Sequence, residues 1–150
     1  MTAMPLNQPL VPLLPDAQPG PVAPVCAPAL SHLRVAGLAC RAAPRRELFT
    51  ACALLQVERT RHAGAYATAL VQGLPEALGT RPVFLAPGEA KRSFDEAWLL
   101  RAMAAHRAGD RASFDFLIRS RITVHAHRSI GYLIAGLADA TIREGSSFAT

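Results

Sequence analysis

The chain reads as all-α: a single bundle of four to five helices behind a disordered, proline-rich N-terminal tail. Three observations carry this reading. Alanine, leucine and arginine, all good helix formers, are abundant, while the β-branched and aromatic residues that favour strands are few. Apolar residues recur at three- and four-residue spacing through most of the chain beyond residue 29. Ser93, Phe94, Asp95 and Glu96, followed by Ala97, Trp98, Leu99 and Leu100, spell out a complete helix start. In this capping box the serine hydroxyl takes a first-turn amide, and the glutamate reaches back to the amide of the cap.

The 150 residues fit one domain. A chain of this size buries roughly two-thirds of its unfolded surface, so it needs neither disulfides nor metal to stand. The boundaries expected are a tail over 1–28 and a helical domain over 29–145. The tail holds eight of the twelve prolines and one charge, Asp16. Proline fixes φ and removes a backbone donor, so neither a helix nor a central strand is expected there. Pro9, Pro12 and Pro15 recur every third residue and would line one edge of a polyproline II helix. No basic residue flanks them as ligands of aromatic grooves often require, and an inert tail is the favoured reading.

A first helix is expected over Ala29–Ala42, with Leu30, Leu33, Gly37 and Cys40 on one face and Val35, Leu38 and Ala39 widening it. Pro44 suits the first turn of a second helix. Its stripe is Leu48, Cys52, Leu55, Arg59, His62, Tyr66, Ala69 and Leu70, and Gly73 and Pro75 should stop it. Residues 73–92, punctuated by glycine and proline, read as a long ordered loop, with Arg81–Ala86 a lone extended piece that lacks a strand partner. A third helix should run from Ser93 to Ala108, closed by Gly109. Asp110 caps a fourth, Arg111–Arg121, whose apolar face is Phe114, Leu117, Ile118 and Ile122. A fifth, Val124–Arg143, carries Ala126, Ile130, Leu133, Ile134, Leu137 and Thr141 on one side and ends at Gly145, Ser146 and Ser147.

The formal net charge is +5. Fifteen of the sixteen basic residues are arginine; only Lys91 is lysine. Arginine, alanine, proline and glycine share GC-rich codons, so part of this excess reflects codon usage, as in a GC-rich bacterial genome. A solvated basic surface is the favoured reading over an anionic partner. Between residues 101 and 128, six arginines face Asp110 and Asp115. Arg107, Arg111, Arg119, Arg121 and Arg128 are therefore the candidate contacts to nucleic acid or an acidic partner. The helix, Gly109–Asp110, helix arrangement invites comparison with a helix-turn-helix. Asp115, however, falls where that motif buries an aliphatic residue, and an αα-hairpin is preferred.

Glu58, His62 and Tyr66 are four apart and form a candidate polar seam. His125 and His127 would point apart on a helix and, even with His106, lack clean zinc spacing, so no metal is expected. Cys26, Cys40 and Cys52 are an odd number with no Cys-x-x-Cys pair, as for reduced thiols. No phosphate loop, nucleophile elbow or Ser-x-x-Lys occurs. The first 33 residues lack the basic side chains of a secretory leader. The longest uncharged stretch of the helical region, Ser129–Ala138, falls far short of the roughly 20 residues a membrane span needs.

The function expected is a non-enzymatic helical interaction or regulatory protein of a bacterial cytoplasm, without cofactor or membrane, whose partner is a protein or a second copy. The alternative is a DNA-binding regulator using the hairpin 107–128. An enzyme or metalloprotein using His62, His106 or His125 is a third and weaker class.

Overall fold

Every regular element of the computed structural model is helical within the residues it describes, which are 26–41, 50–53 and 62–147. The expected tail therefore lies outside the described residues up to position 25. The folded part begins earlier than position 29, because Cys26 is already buried in the core. Helix α1 spans Ala27–Arg41. Pro28 falls in its first turn, where a missing N–H leaves no bond unmade. Ala29, Leu33 and Ala36 are buried, but Val35 and Leu38 point outward, so the apolar face is narrower than the sequence suggests.

The expected second helix is broken at His62. Helix α2 (Ala63–Leu78) starts there, with His62 as its extended N-cap. The His62 ring accepts a hydrogen bond from Ala65 N at 3.2 Å, and the Glu144 carboxylate takes Ala63 N at 2.8 Å. A carboxylate at this end also complements the helix dipole. The upstream part of that expectation, residues 42–49 and 54–61, lies outside the described residues. Residues 50–53 are helical and bury Ala51.

Pro75 does not stop α2. The helix runs through Gly73 and Pro75 to Leu78 and closes on Gly79 at φ 75°. Proline in a helix interior costs about 3 kcal/mol. The buried Leu74 and Ala77 hold the last turn against the core and offset that cost.

Helix α3 (Phe94–Arg107) carries the capping box, with both reciprocal hydrogen bonds present. Gly109, at φ 70°, turns the chain into α4 (Arg111–Arg121), whose cap is Asp110. The fifth expected helix begins as a 3-10 turn, Val124–Ala126, and continues as α5 (His127–Ser147). It passes Gly145, around which there is open space, and does not stop there.

The core forms where α2 packs between α1 and α5, and α3 lies against both α4 and α5. Leu33, Leu70, Leu74, Leu99, Met103, Ile130, Leu133, Ile134 and Leu137 are fully buried. Tyr66 of α2 meets Tyr132 edge-on, with ring centroids 6.1 Å apart. Gly136 makes room for that ring, since a Cβ there would lie 2.3 Å from Tyr66 Cε1. Among the described residues no helix is long and apolar enough to cross a membrane.

Candidate functional site

The segment between α2 and α3, residues 79–93, has no regular secondary structure, yet its backbone is pinned by side chains from two helices. Backbone N–H and C=O groups are strong hydrogen-bonding groups, and a segment with no neighbouring strand must find partners elsewhere. The start of α3 takes that part. Asp95 accepts a hydrogen bond from Val83 N at 2.8 Å, and Glu96 accepts one from Leu85 N at 3.3 Å. The Ser93 hydroxyl donates to the Val83 carbonyl while also capping the helix.

Arg34 completes the clamp from α1. Its Nε donates to Glu96 Oε2 at 2.8 Å, and its Nη1 and Nη2 donate to the carbonyls of Glu89 and Lys91 at 2.7 and 2.6 Å. Arg34 is 4% exposed and Glu96 is fully buried. Glu96 thus serves three purposes. It closes the capping box through Ser93 N at 2.9 Å, it neutralises Arg34, and it holds the loop at Leu85. A buried ion pair tolerates desolvation only with such additional hydrogen bonds.

Held in this way, the loop walls a groove of about 320 Å³ against α1 and α2. Gly37, Cys40 and Arg41 of α1, Val71, Gln72 and Pro75 of α2, and Arg81, Pro82, Val83 and Phe84 of the loop line it. Gly37 permits the close approach, because a Cβ there would stand 3.1 Å from Phe84 Cβ. The Arg41 guanidinium donates to the Phe84 carbonyl at 3.4 Å. Burial pushes the Cys40 thiol above its ordinary range, partly offset by a hydrogen bond with Gln72. A thiol so shifted is a poor nucleophile near neutrality. The lining is apolar with a few polar and charged groups, the usual make-up of a ligand cleft, and the volume lies at the small end of that class.

The hairpin arginines are not equivalent. Arg121 donates to Asp95 at 2.7 Å, and its guanidinium lies 4.9 and 5.0 Å from the ring centroids of Phe94 and Trp98. It therefore holds the α3 start to the α4 end, where Trp98 Nε1 also bonds Leu117 O at 3.0 Å. Arg111 pairs with Asp115 one turn on, at 3.3 Å, and both are substantially exposed. Arg119 and Arg128 are exposed, and Arg107 is half-buried.

Of the expected polar seam, Glu58 lies outside the described residues. His62 and Tyr66 do not share a helical face, because His62 stands before the helix as its cap and Tyr66 is buried within it. The other histidines stand apart from one another: His32 Nε2 lies 3.5 Å from Glu144 Oε2. His106 Nε2 lies 3.0 Å from Asp139 Oδ1, His127 Nε2 lies 2.7 Å from Ile122 O, and His125 is exposed. Among the described residues no three His, Cys, Asp or Glu side chains converge as a metal site would require.

The groove was missed in the sequence, whereas Arg34 left one signal there. It stands between Leu33 and Gly37, on the flank of the expected apolar face. An arginine so placed needs an acidic partner, and the capping-box glutamate was the best-specified one available. Comparison with protein-family models, with curated proteins and with solved structures finds nothing that matches this chain.

Proposed function

We propose that this protein is a non-enzymatic interaction or regulatory module whose contact site is the groove between α1, α2 and the 79–93 loop. The observation that carries the reading is the clamp. Three charged side chains, Arg34, Asp95 and Glu96, hold an irregular loop in one conformation, so the groove wall is ordered before anything binds. Preorganisation of this kind lowers the entropy lost on association. The raised thiol of Cys40 favours binding over nucleophilic catalysis. The nucleic-acid reading has less support. Arg121 is committed to Asp95, and Asp115 stands between Arg111 and Arg119 along the outer face of α4.

The test is the amide spectrum of the isotope-labelled full chain, recorded with size-fractionated extract of its host. Perturbations centred on Gly37, Val71, Gln72, Val83 and Phe84 are expected. Perturbations centred on Arg111, Arg119 and Arg128 would move the contact to the hairpin and overturn the groove reading. Conversion of an extract component by the protein would overturn the non-enzymatic part.

A further inference from the structure

We infer that the groove takes a small organic anion, a carboxylate on a short apolar body, with Arg81 and Arg41 holding the charge. The inference rests on the groove reading above and adds the chemistry of the occupant. Among the described residues, two guanidinium-bearing residues line the groove and no aspartate or glutamate does. Arg81 is exposed and has no hydrogen bond or ion pair to another described residue. Among the described residues, Arg41 makes one long bond, to the Phe84 carbonyl, which leaves other guanidinium donors available. Guanidinium groups recognise carboxylates through paired N–H donors in a fixed fork. The same lining includes Val71, Pro75, Pro82, Val83 and Phe84, which offer apolar surface but few hydrogen bonds. Among the described residues, Gln72 is the one neutral side-chain amide in the lining. The combination selects a ligand with one charged end and an apolar remainder. A free inorganic anion would leave the walls uncovered, and a neutral apolar molecule would leave the arginines unused.

Cys40 supplies a reporter inside the groove, and Cys52, outside the lining, supplies the internal reference. The experiment follows carbamidomethylation of both thiols in the full chain by peptide mass spectrometry, under hexanoate, benzoate, acetate, inorganic phosphate or benzyl alcohol. Hexanoate and benzoate should slow the reaction at Cys40 but not at Cys52, while acetate, phosphate and the alcohol should leave both unchanged. Arg81→Gln should raise the half-protecting concentration about tenfold, equivalent to about 1.4 kcal/mol, and Arg111→Gln should not change it. Saturation-transfer spectra of the same acids give a second measure that does not depend on thiol chemistry. Equal protection by benzyl alcohol would remove the anion and leave an apolar groove. Equal protection by phosphate or acetate would remove the apolar body. Absence of any protection and of any saturation transfer would overturn the inference, whereas the groove reading stands or falls separately on the extract titration.

Discussion

Replacing Glu96 with methionine should be among the most damaging single substitutions in this chain. Methionine nearly matches glutamate in volume, so the loss reports charge and hydrogen bonding and not an empty cavity. In Glu96→Met the Arg34 guanidinium stays buried with only the Glu89 and Lys91 carbonyls, and the amides of Ser93 and Leu85 lose their acceptor. Removing one partner of a buried ion pair costs about 3–5 kcal/mol. The two surviving carbonyl bonds moderate the charge penalty, while the orphaned amides add to it, so the middle of that range is expected. That is a large part of the roughly 5–15 kcal/mol that holds a domain together. Arg34→Met should cost somewhat less, because Glu96 keeps two amide donors and the freed carbonyls belong to exposed residues. The double variant is the decisive one. With both charges gone it should lose less than the sum of the singles by about 2 kcal/mol, as coupled neighbours do. Urea unfolding followed by circular dichroism gives all three values, and amide exchange at Val83 and Leu85 should accelerate in both singles. A loss under about 1 kcal/mol in Glu96→Met, well below what an unpaired buried charge demands, would refute the reasoning. So would strict additivity in the double variant.

Other substitutions probe the capping box, the core and the caps. Ser93→Ala should cost about 1 kcal/mol through the orphaned first-turn amide, read as a shift of the urea midpoint. Trp98→Ala should cost roughly 3–5 kcal/mol as a large buried ring is lost, and because the ring also faces Arg121 the α4 end should exchange faster. Gly136→Ala should lower Tm, because the new Cβ meets the Tyr66 ring, while Gly145→Ala, with open space around it, should raise Tm slightly. The Asp110 carboxyl is held below its ordinary range by hydrogen bonds from Ser113. Its contribution is therefore present above the unfolded carboxylate range and lost as pH falls through the lower folded value. Asp110→Asn should flatten that part of the stability profile between neutral and strongly acid pH.

How much of this was legible in the sequence depends on range along the chain. The third and fourth helices were readable almost to the residue, because their ends are written locally: Ser93 with Glu96, Gly109 at positive φ, Asp110 accepting from Ser113. The buried stripe of α5 and the turn before it was readable because Ala126, Ile130, Leu133, Ile134, Leu137 and Thr141 hold to one period. Two of the boundary errors, at His62 and at Pro75, share a cause. His62 starts a helix partly because Glu144, far along the chain, caps Ala63, and Pro75 stays inside one because Leu74 and Ala77 are pulled into a core built by other helices. In both places tertiary packing outweighs the local signal, as weak propensities allow.

The groove was illegible for a related reason. Its lining comes from three short runs, 37–41, 71–75 and 81–84, none of which carries a motif. What joins them is the clamp, and the clamp is built from residues that each had a sufficient local explanation. Glu96 was already accounted for by the capping box and Asp95 by the first turn of a helix. One carboxylate, however, has two oxygens and several lone pairs, and a cap uses only one of them. In Glu96, Oε1 accepts from Ser93 N and also from Arg34 Nη2, while Oε2, which the cap does not use, accepts from Arg34 Nε and Leu85 N. A cap that is also fully buried must find partners for that second oxygen, so the burial of Glu96 implies a donor from elsewhere in the fold. Arg34, the buried arginine of α1, meets that need, and in meeting it draws the loop against α1 and α2 and gives the groove its wall.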